Sequence, residues 1–325
     1  MNSFTRITNR ALNNLPLSRE DALSLVHVPF HDLLHAAHQI RYTFLGNRVH
    51  LCAIVNARSG ACPEDCVFCA QSARYSGRAA VYPMSEPAQL ISAAETVAAR
   101  YAGRFGVVTS GGSAVAGAER EKLLEGLEQL SAAGQHKLCV SLGMLDDDML
   151  SALRECGITR IHHNLETSRN FFPRVCTTHS YDDRLATIKR AQHAGFEVCC
   201  GGLFGLGESW EDRIDLAMEL RALGITSIPL NFINPVPGTP LEHAATVPPR
   251  DALRSIAIFR FVLPQTEIKV AGGREVTFRD LQSWIFYAGA SSMMIGNYLT
   301  TNGRDVEADI AMIRDLGLEA VCGQR

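Results

Sequence analysis

A chain of 325 residues that is 46% hydrophobic and 20% charged can bury a large core, which excludes a disordered protein. A net charge of −3 without any basic block argues against a nucleic-acid groove, and the longest apolar runs fall far short of the roughly 18 residues of a membrane span. Residues 1–10 are polar and lack the apolar segment of a signal peptide, so a cytoplasmic location is expected, and there ten cysteines favour metal or redox work over disulfides.

Residues 1–19 show no strong pattern and read as a loose arm. Ala22, Leu23, Leu25, Val26, Leu33, Leu34, Ala37 and Ile40 then suggest two capping helices. From there one unit repeats: a short apolar run, a loop, and an amphipathic helix ending on glycine. The strand candidates are 49–56, 105–109, 137–142, 160–164, 196–201, 227–231, 267–271 and 292–295. Gly103, Gly134, Gly157, Gly195, Gly224, Gly289 and Gly317 are the expected helix stops. Ser209 with Asp212, and Thr277 with Asp280, read as helix starts. Eight strands alternating with helices predict an α/β fold, a (β/α)8 TIM-type barrel over 49–325 with an N-terminal helical extension over 1–48, and no second domain. The pattern alone also fits a doubly wound open sheet. In a barrel, the long loop after the first strand lies at the C-terminal mouth, where active sites sit.

That loop carries Cys62, Cys66 and Cys69 at the spacing C-x3-C-x2-C. A zinc ribbon would need a second cysteine pair at similar spacing, and none follows. Three thiolates are one short of the four that close a cubane cluster, so one iron would stay open to a small molecule. With Phe68 before the last cysteine, the stretch resembles the cluster loop of the radical S-adenosylmethionine superfamily. The similarity narrows further. Asn56-Ala57-Arg58-Ser59-Gly60-Ala61-Cys62-Pro63-Glu64-Asp65-Cys66 and Cys69-Ala70-Gln71-Ser72-Ala73-Arg74-Tyr75 closely resemble the biotin synthase family. So do His163-Asn164-Leu165-Glu166-Thr167, Thr177-Thr178-His179-Ser180-Tyr181, Val198-Cys199-Cys200-Gly201-Gly202 and Gly205-Leu206-Gly207-Glu208.

The resemblance implies a barrel enzyme that inserts sulfur into dethiobiotin. Its implied cofactors are a [4Fe–4S] cluster with S-adenosylmethionine and an auxiliary iron–sulfur cluster that donates the sulfur. It also implies a flavodoxin- or ferredoxin-type reductant and a homodimer. Carried over residue by residue, Cys62, Cys66 and Cys69 hold the radical-generating cluster. Glu166 meets the ribose of S-adenosylmethionine, Arg184 its carboxylate, and Ser110 and Gly111 lie in the loop near its amino group. Asn164 and Asn231 hold the ureido ring of dethiobiotin, which an amide suits as both donor and acceptor; either could instead be a plain strand-end cap.

The auxiliary site departs from the family pattern. Cys139, Cys199 and Arg274 match the family's ligands from the third strand, the fifth strand and the turn after the seventh, but the second-strand cysteine is replaced by Gly106. The usual [2Fe–2S] ligand set is therefore incomplete. Cys52, in the first strand, is the candidate replacement, because inward side chains of alternate strands share a layer. Cys52, Cys139, Cys199 and Arg274 are then expected to bind an altered cluster with more than two irons; the bland alternative for Cys52 is a core thiol. Cys200 should face away from Cys199. Cys156, Cys176 and Cys322 have no obvious partners. Two other readings compete: a related radical enzyme without sulfur insertion, of the hydrogenase-maturase or methylornithine-synthase kind, and a non-catalytic iron–sulfur protein, which would normally supply a fourth cysteine.

Overall fold

The computed structural model describes residues 2–77, 79–113 and 115–322. Ten strands form one parallel sheet: β1 (Arg48–Arg58), β2 (Arg104–Thr109), β3 (Lys137–Ser141), β4 (Arg160–His162), β5 (Glu197–Cys199), β6 (Gly202–Phe204), β7 (Ser227–Phe232), β8 (Glu267–Val270), β9 (Ser292–Met294) and β10 (Glu319–Val321). The sheet closes because β9 pairs with β1, His50 opposite Ser292 and Cys52 opposite Met294. Closure removes the sheet edges that an open doubly wound fold would keep. The barrel has eight staves, since β5 and β6 are two halves of the fifth, both paired to β7. Between them, Gly201 packs so closely on the Pro229 carbonyl that a Cβ would collide with it. β10 lies beside the first residues of β1.

Alternation sorts each stave. In β8, Ile268 and Val270 are fully buried outside the barrel, while Lys269 and then Ala271 line the interior. Helices end where glycine supplies a left-handed residue: Gly134 (φ 64°) stops Gly117–Ala133. Ser209 and Asp212 form a reciprocal capping box at the start of Trp210–Ala222, as the sequence suggests.

Four local expectations need correction. Residues 3–12 are not a loose arm but a helix, Ser3–Leu12, that buries Ile7 and Ala11 and sets Phe4 against Phe261. Thr277 does not start a helix: it is buried inside Arg274–Phe278, which begins after Gly273. Gly103 is not left-handed; it turns the chain into β2 by donating to the Leu51 carbonyl. The fifth strand is not continuous over 196–201. The N-terminal helices pack on the outer helical layer, Phe30–Leu45 against Pro249–Val262 and Arg19–Ser24 against Trp210–Ala222. No described helix is long and apolar enough to cross a membrane.

Candidate active site

β1 delivers the chain to the barrel mouth, and the cysteine loop starts there. Gly60 and Ala61 both take left-handed backbone (φ 72° and 50°), the latter at a cost of about 1–2 kcal/mol for a residue with a Cβ. The turn that follows is held by its own backbone: Cys62 N–H donates to Gln71, Ala73 N–H to Cys62, and Cys69 N–H to Cys66. A second loop, after β4, clamps it. Val67 N–H donates to Val175, and the Asp65 carboxylate accepts from Thr177 N–H at 2.8 Å. Against the pull of burial, these bonds hold Asp65 well below the usual carboxylate range.

Behind the triplet runs a chain of polar contacts. Arg184 Nε donates to His179 Nε2 at 2.9 Å, which leaves His179 Nδ1 to donate to Glu64 at 2.6 Å. Arg184 also donates to the Asn164 carbonyl at 2.9 Å and reaches within 3.9 Å of Cys66 Sγ. Cys176, without an obvious partner in the sequence, has several in the structure: its sulfur lies 3.1 Å from Asp65, 3.3 Å from His179 and within 4.8 Å of Cys66. Its bond with Cys66, helped by His179 and Thr178 and opposed by burial, takes its pKa down to about 4. Among the described residues, Cys66, Cys176 and His179 bring three potential metal-ligand atoms within 4.8 Å of one another. The sulfurs of Cys62, Cys66 and Cys69 do not all lie within 4.8 Å of one another.

Glu166 follows β4 in left-handed backbone (φ 68°), a strain of about 1–3 kcal/mol at a non-glycine residue and typical of functional positions. Its carboxylate accepts from Asn164 at 3.3 Å and stands 3.6 Å from Arg184, with burial raising its pKa. Asn164 Oδ1 also accepts from Gly201 N–H, and Asn231 bridges Gly202 O and Gly272 N–H. The strand-end bonds are thus real, yet both amides line the cavity. Ser110 and Gly111 do not. Ser110 Oγ donates to Gly60, and the neighbouring Gly112 packs against Glu64, where a Cβ would clash. Their loop supports the cysteine loop directly.

The cavity, of about 370 Å³, runs from this mouth into the barrel. On its wall are Cys52, Cys139 and Cys199, all buried. They come from the first, third and fifth staves, as the layer argument requires. The seventh stave, however, contributes Lys269 and not Arg274. The Arg274 guanidinium turns out of the cavity onto Asp309 (2.6 and 3.0 Å) and Gln282 (2.5 Å), in a fully buried pair. The physical reason is position: Lys269 points inward from β8, whereas Arg274 lies past the strand in the next helix. Cys200 is buried and does not line the cavity, as alternation predicts.

Lys269, Arg160, Arg104 and His162 also line the cavity, and sequence reasoning missed all four. The signal was there in Lys269, a charge at the centre of an apolar strand. Their field splits the thiols. Burial raises Cys199, but Lys269, His162 and Arg160 outweigh it and bring its pKa to about 6. Burial and then the Cys199 charge push Cys139 up to about 12. A cavity with three thiols and several cations on its wall suits an anionic inorganic cluster.

Comparison with known proteins agrees with this geometry. Residues 57–220 match the Radical SAM superfamily, and residues 229–319 the Biotin and Thiamin Synthesis associated domain. Biotin synthase from Heliobacterium modesticaldum is 49% identical over 322 residues, covering 98% of each chain. The chain belongs to the biotin synthase family. Biotin synthase from Geobacter sulfurreducens is 46% identical, covering 96% of each chain. A solved methylornithine synthase shares the fold at 17% identity (TM-score 0.82, 97% of each chain). A maturase of the [FeFe]-hydrogenase does so at 16% (TM-score 0.83, 97% of this chain and 74% of the other). At such identities these two speak for the barrel alone, so the biotin synthase likeness decides against the two rival enzymes.

Proposed function

We propose that the two cysteine groups of this barrel divide the work of biotin synthesis. The activity is that of a biotin synthase, a radical S-adenosylmethionine sulfurtransferase acting on dethiobiotin. The observation that carries the division of labour is one shared cavity: Phe68 and Ala70 of the triplet loop line its mouth, and three more buried thiols line its wall. Cys62, Cys66 and Cys69 hold the [4Fe–4S] cluster, which supplies reductive cleavage of S-adenosylmethionine. Around it, Glu166 accepts ribose hydroxyls and Arg184 faces the carboxylate, while the Ser110–Gly111 loop braces the cysteine loop. Asn164 and Asn231 orient the ureido ring between mouth and floor. Their backbone bonds fix both amides before substrate arrives, so little is lost in ordering them.

Cys52, Cys139 and Cys199 hold the auxiliary, sulfur-donating cluster. Gly106 lies opposite both Ile54 and Cys139, and the Ile54 side chain packs into the space that a Cβ at Gly106 would take. Arg274 is left to structure. A soluble reductant of the flavodoxin or ferredoxin type and a second copy of the chain complete the working enzyme. The test is anaerobic: reconstituted protein, dethiobiotin, S-adenosylmethionine and reductant should yield biotin. Formation of 5′-deoxyadenosine without any thiolated product would contradict the reading. Iron and sulfide counts on Cys52→Ala should show loss of the auxiliary cluster, and an unchanged count would remove Cys52 from the set.

A further inference from the structure

We infer that Cys66 and Cys176 form a redox modification site: whenever the triplet holds no iron, they close a reversible disulfide that keeps Cys66 fit to receive a new cluster. The inference rests on the reading that Cys62, Cys66 and Cys69 hold the radical-generating cluster. Three observations carry it.

The first is register. The cysteine loop and the loop after β4 pass each other in opposite directions. Val67 N–H donates to the Val175 carbonyl at 3.0 Å, and the Asp65 carboxylate accepts from Thr177 N–H at 2.8 Å. Residue 67 thus meets 175 and residue 65 meets 177, which sets Cys66 opposite Cys176. Asp65 N–H also donates to Thr178 Oγ1 at 3.2 Å, so the contacts on either side of the two cysteines already fix both backbones.

The second is distance. The two sulfurs lie within 4.8 Å of one another. A disulfide is about 2 Å long and is barred where the two backbones stand too far apart. Here the backbones are clamped together, and side-chain rotation closes the gap.

The third is that Cys176 is spare. It lies outside the triplet motif and does not line the cavity, so neither cluster site uses it. Both thiols are shielded, Cys66 at 8% exposure and Cys176 at 3%, which favours a small oxidant over a bulky disulfide.

Hydrogen peroxide is such an oxidant. The Cys66 thiol, the more exposed of the two, takes one oxygen to become a sulfenic acid, and the rest of the peroxide leaves as water. The Cys176 thiol attacks that sulfur, the S–O bond breaks, and the hydroxyl leaves with the Cys176 proton as a second water. The two thiols lose two electrons in all and the peroxide gains them. A sulfenic acid without a neighbouring thiol goes on to the sulfinic acid, which is not reversed by thiols. A disulfide is returned to two thiols by exchange with a dithiol.

The experiment maps cysteine chemistry by mass spectrometry in wild type, Cys176→Ala and Cys176→Ser. Each protein is reconstituted anaerobically, and its triplet cluster is read by iron and sulfide counts and electron paramagnetic resonance. Iron is then removed with a chelator, hydrogen peroxide is added, and the remaining thiols are alkylated before digestion. A second portion is reduced with a dithiol and reconstituted again. The expected result is a Cys66–Cys176 cross-link in wild type, with the triplet cluster recovered after reduction. Both variants should load iron at first, then carry several-fold more sulfinic acid at Cys66 and recover several-fold less cluster. Wild-type Cys66 left unlinked, or linked to Cys62 or Cys69 instead, would overturn the inference, as would equal recovery in wild type and variants. It would also fall if neither variant loaded the triplet before oxidation, since Cys176 would then belong to the cluster site. Failure of the wild type to load a [4Fe–4S] cluster would instead bring down the reading of Cys62, Cys66 and Cys69.

Discussion

The mouth and the floor of the barrel both gather three cysteines, and they do so in opposite ways. At the mouth the cysteines are neighbours in sequence, carried by a loop whose strained backbone and clamp to Asp65 and Val67 hold them in place. At the floor they lie far apart in sequence, one on each of three staves, and only closure of the sheet brings them to one wall. The mouth is therefore a motif and the floor is a consequence of the fold. The two differ in electrostatics as well. Among the described residues, Arg184 comes within reach of a mouth sulfur, whereas Lys269, Arg160 and Arg104 all line the cavity with the floor thiols. Single substitutions on a stave can thus alter the floor without touching the loop at the mouth.

The comparison can be broken by separating the two ends. The largest effect is expected from alanine at Cys66, which should abolish both 5′-deoxyadenosine and biotin in a product assay. Alanine at Cys139 should abolish biotin but leave 5′-deoxyadenosine; losing both together would show that the ends are not independent. Next comes Arg274→Met. It leaves the fully buried Asp309 carboxylate with only the longer contact to Arg304, at 3.5 Å, and denaturant titration should show a stability loss of about 3 kcal/mol, with iron per folded chain unchanged. A smaller effect is expected from Asn231→Ala. Loss of one amide contact should weaken dethiobiotin binding by about 1 kcal/mol, read as a raised KM.

The smallest effect concerns pH. His163 is 7% exposed, its Nε2 has no hydrogen-bond partner among the described residues, and burial reinforced by Arg184 keeps its pKa well below the ordinary 6.5. The unfolded chain therefore binds a proton that the folded chain refuses. That contribution to stability is intact above pH 6.5 and declines as pH falls below it toward the folded value. Stability of wild type should drop relative to His163→Leu on acidification below 6.5, and parallel curves would contradict this.

Much of this contrast was legible in the residues. Periodicity and helix-stopping glycines located eight staves, and a local spacing marked Cys62, Cys66 and Cys69. Even the floor thiols followed from which staves they occupy. The seventh-stave residue did not, because reasoning by likeness passed over Lys269 to reach Arg274, five residues on. Alternation within 267–271 would have corrected it, since a lysine flanked by Ile268 and Val270 must face inward. Cys176 was illegible for another reason. Its partners Asp65 and Cys66 lie more than a hundred residues earlier, and no periodic rule links two loops packed at a barrel mouth.

The division between mouth and floor is tested most directly by following the sulfur atom. The auxiliary cluster is rebuilt with isotopically heavy sulfide, unbound sulfide is removed, and a single turnover is run with dethiobiotin and S-adenosylmethionine. The account predicts heavy sulfur in the biotin from wild type, and no biotin from Cys139→Ala although 5′-deoxyadenosine still forms. Light sulfur in the wild-type product, or labelled biotin from the variant, would contradict it.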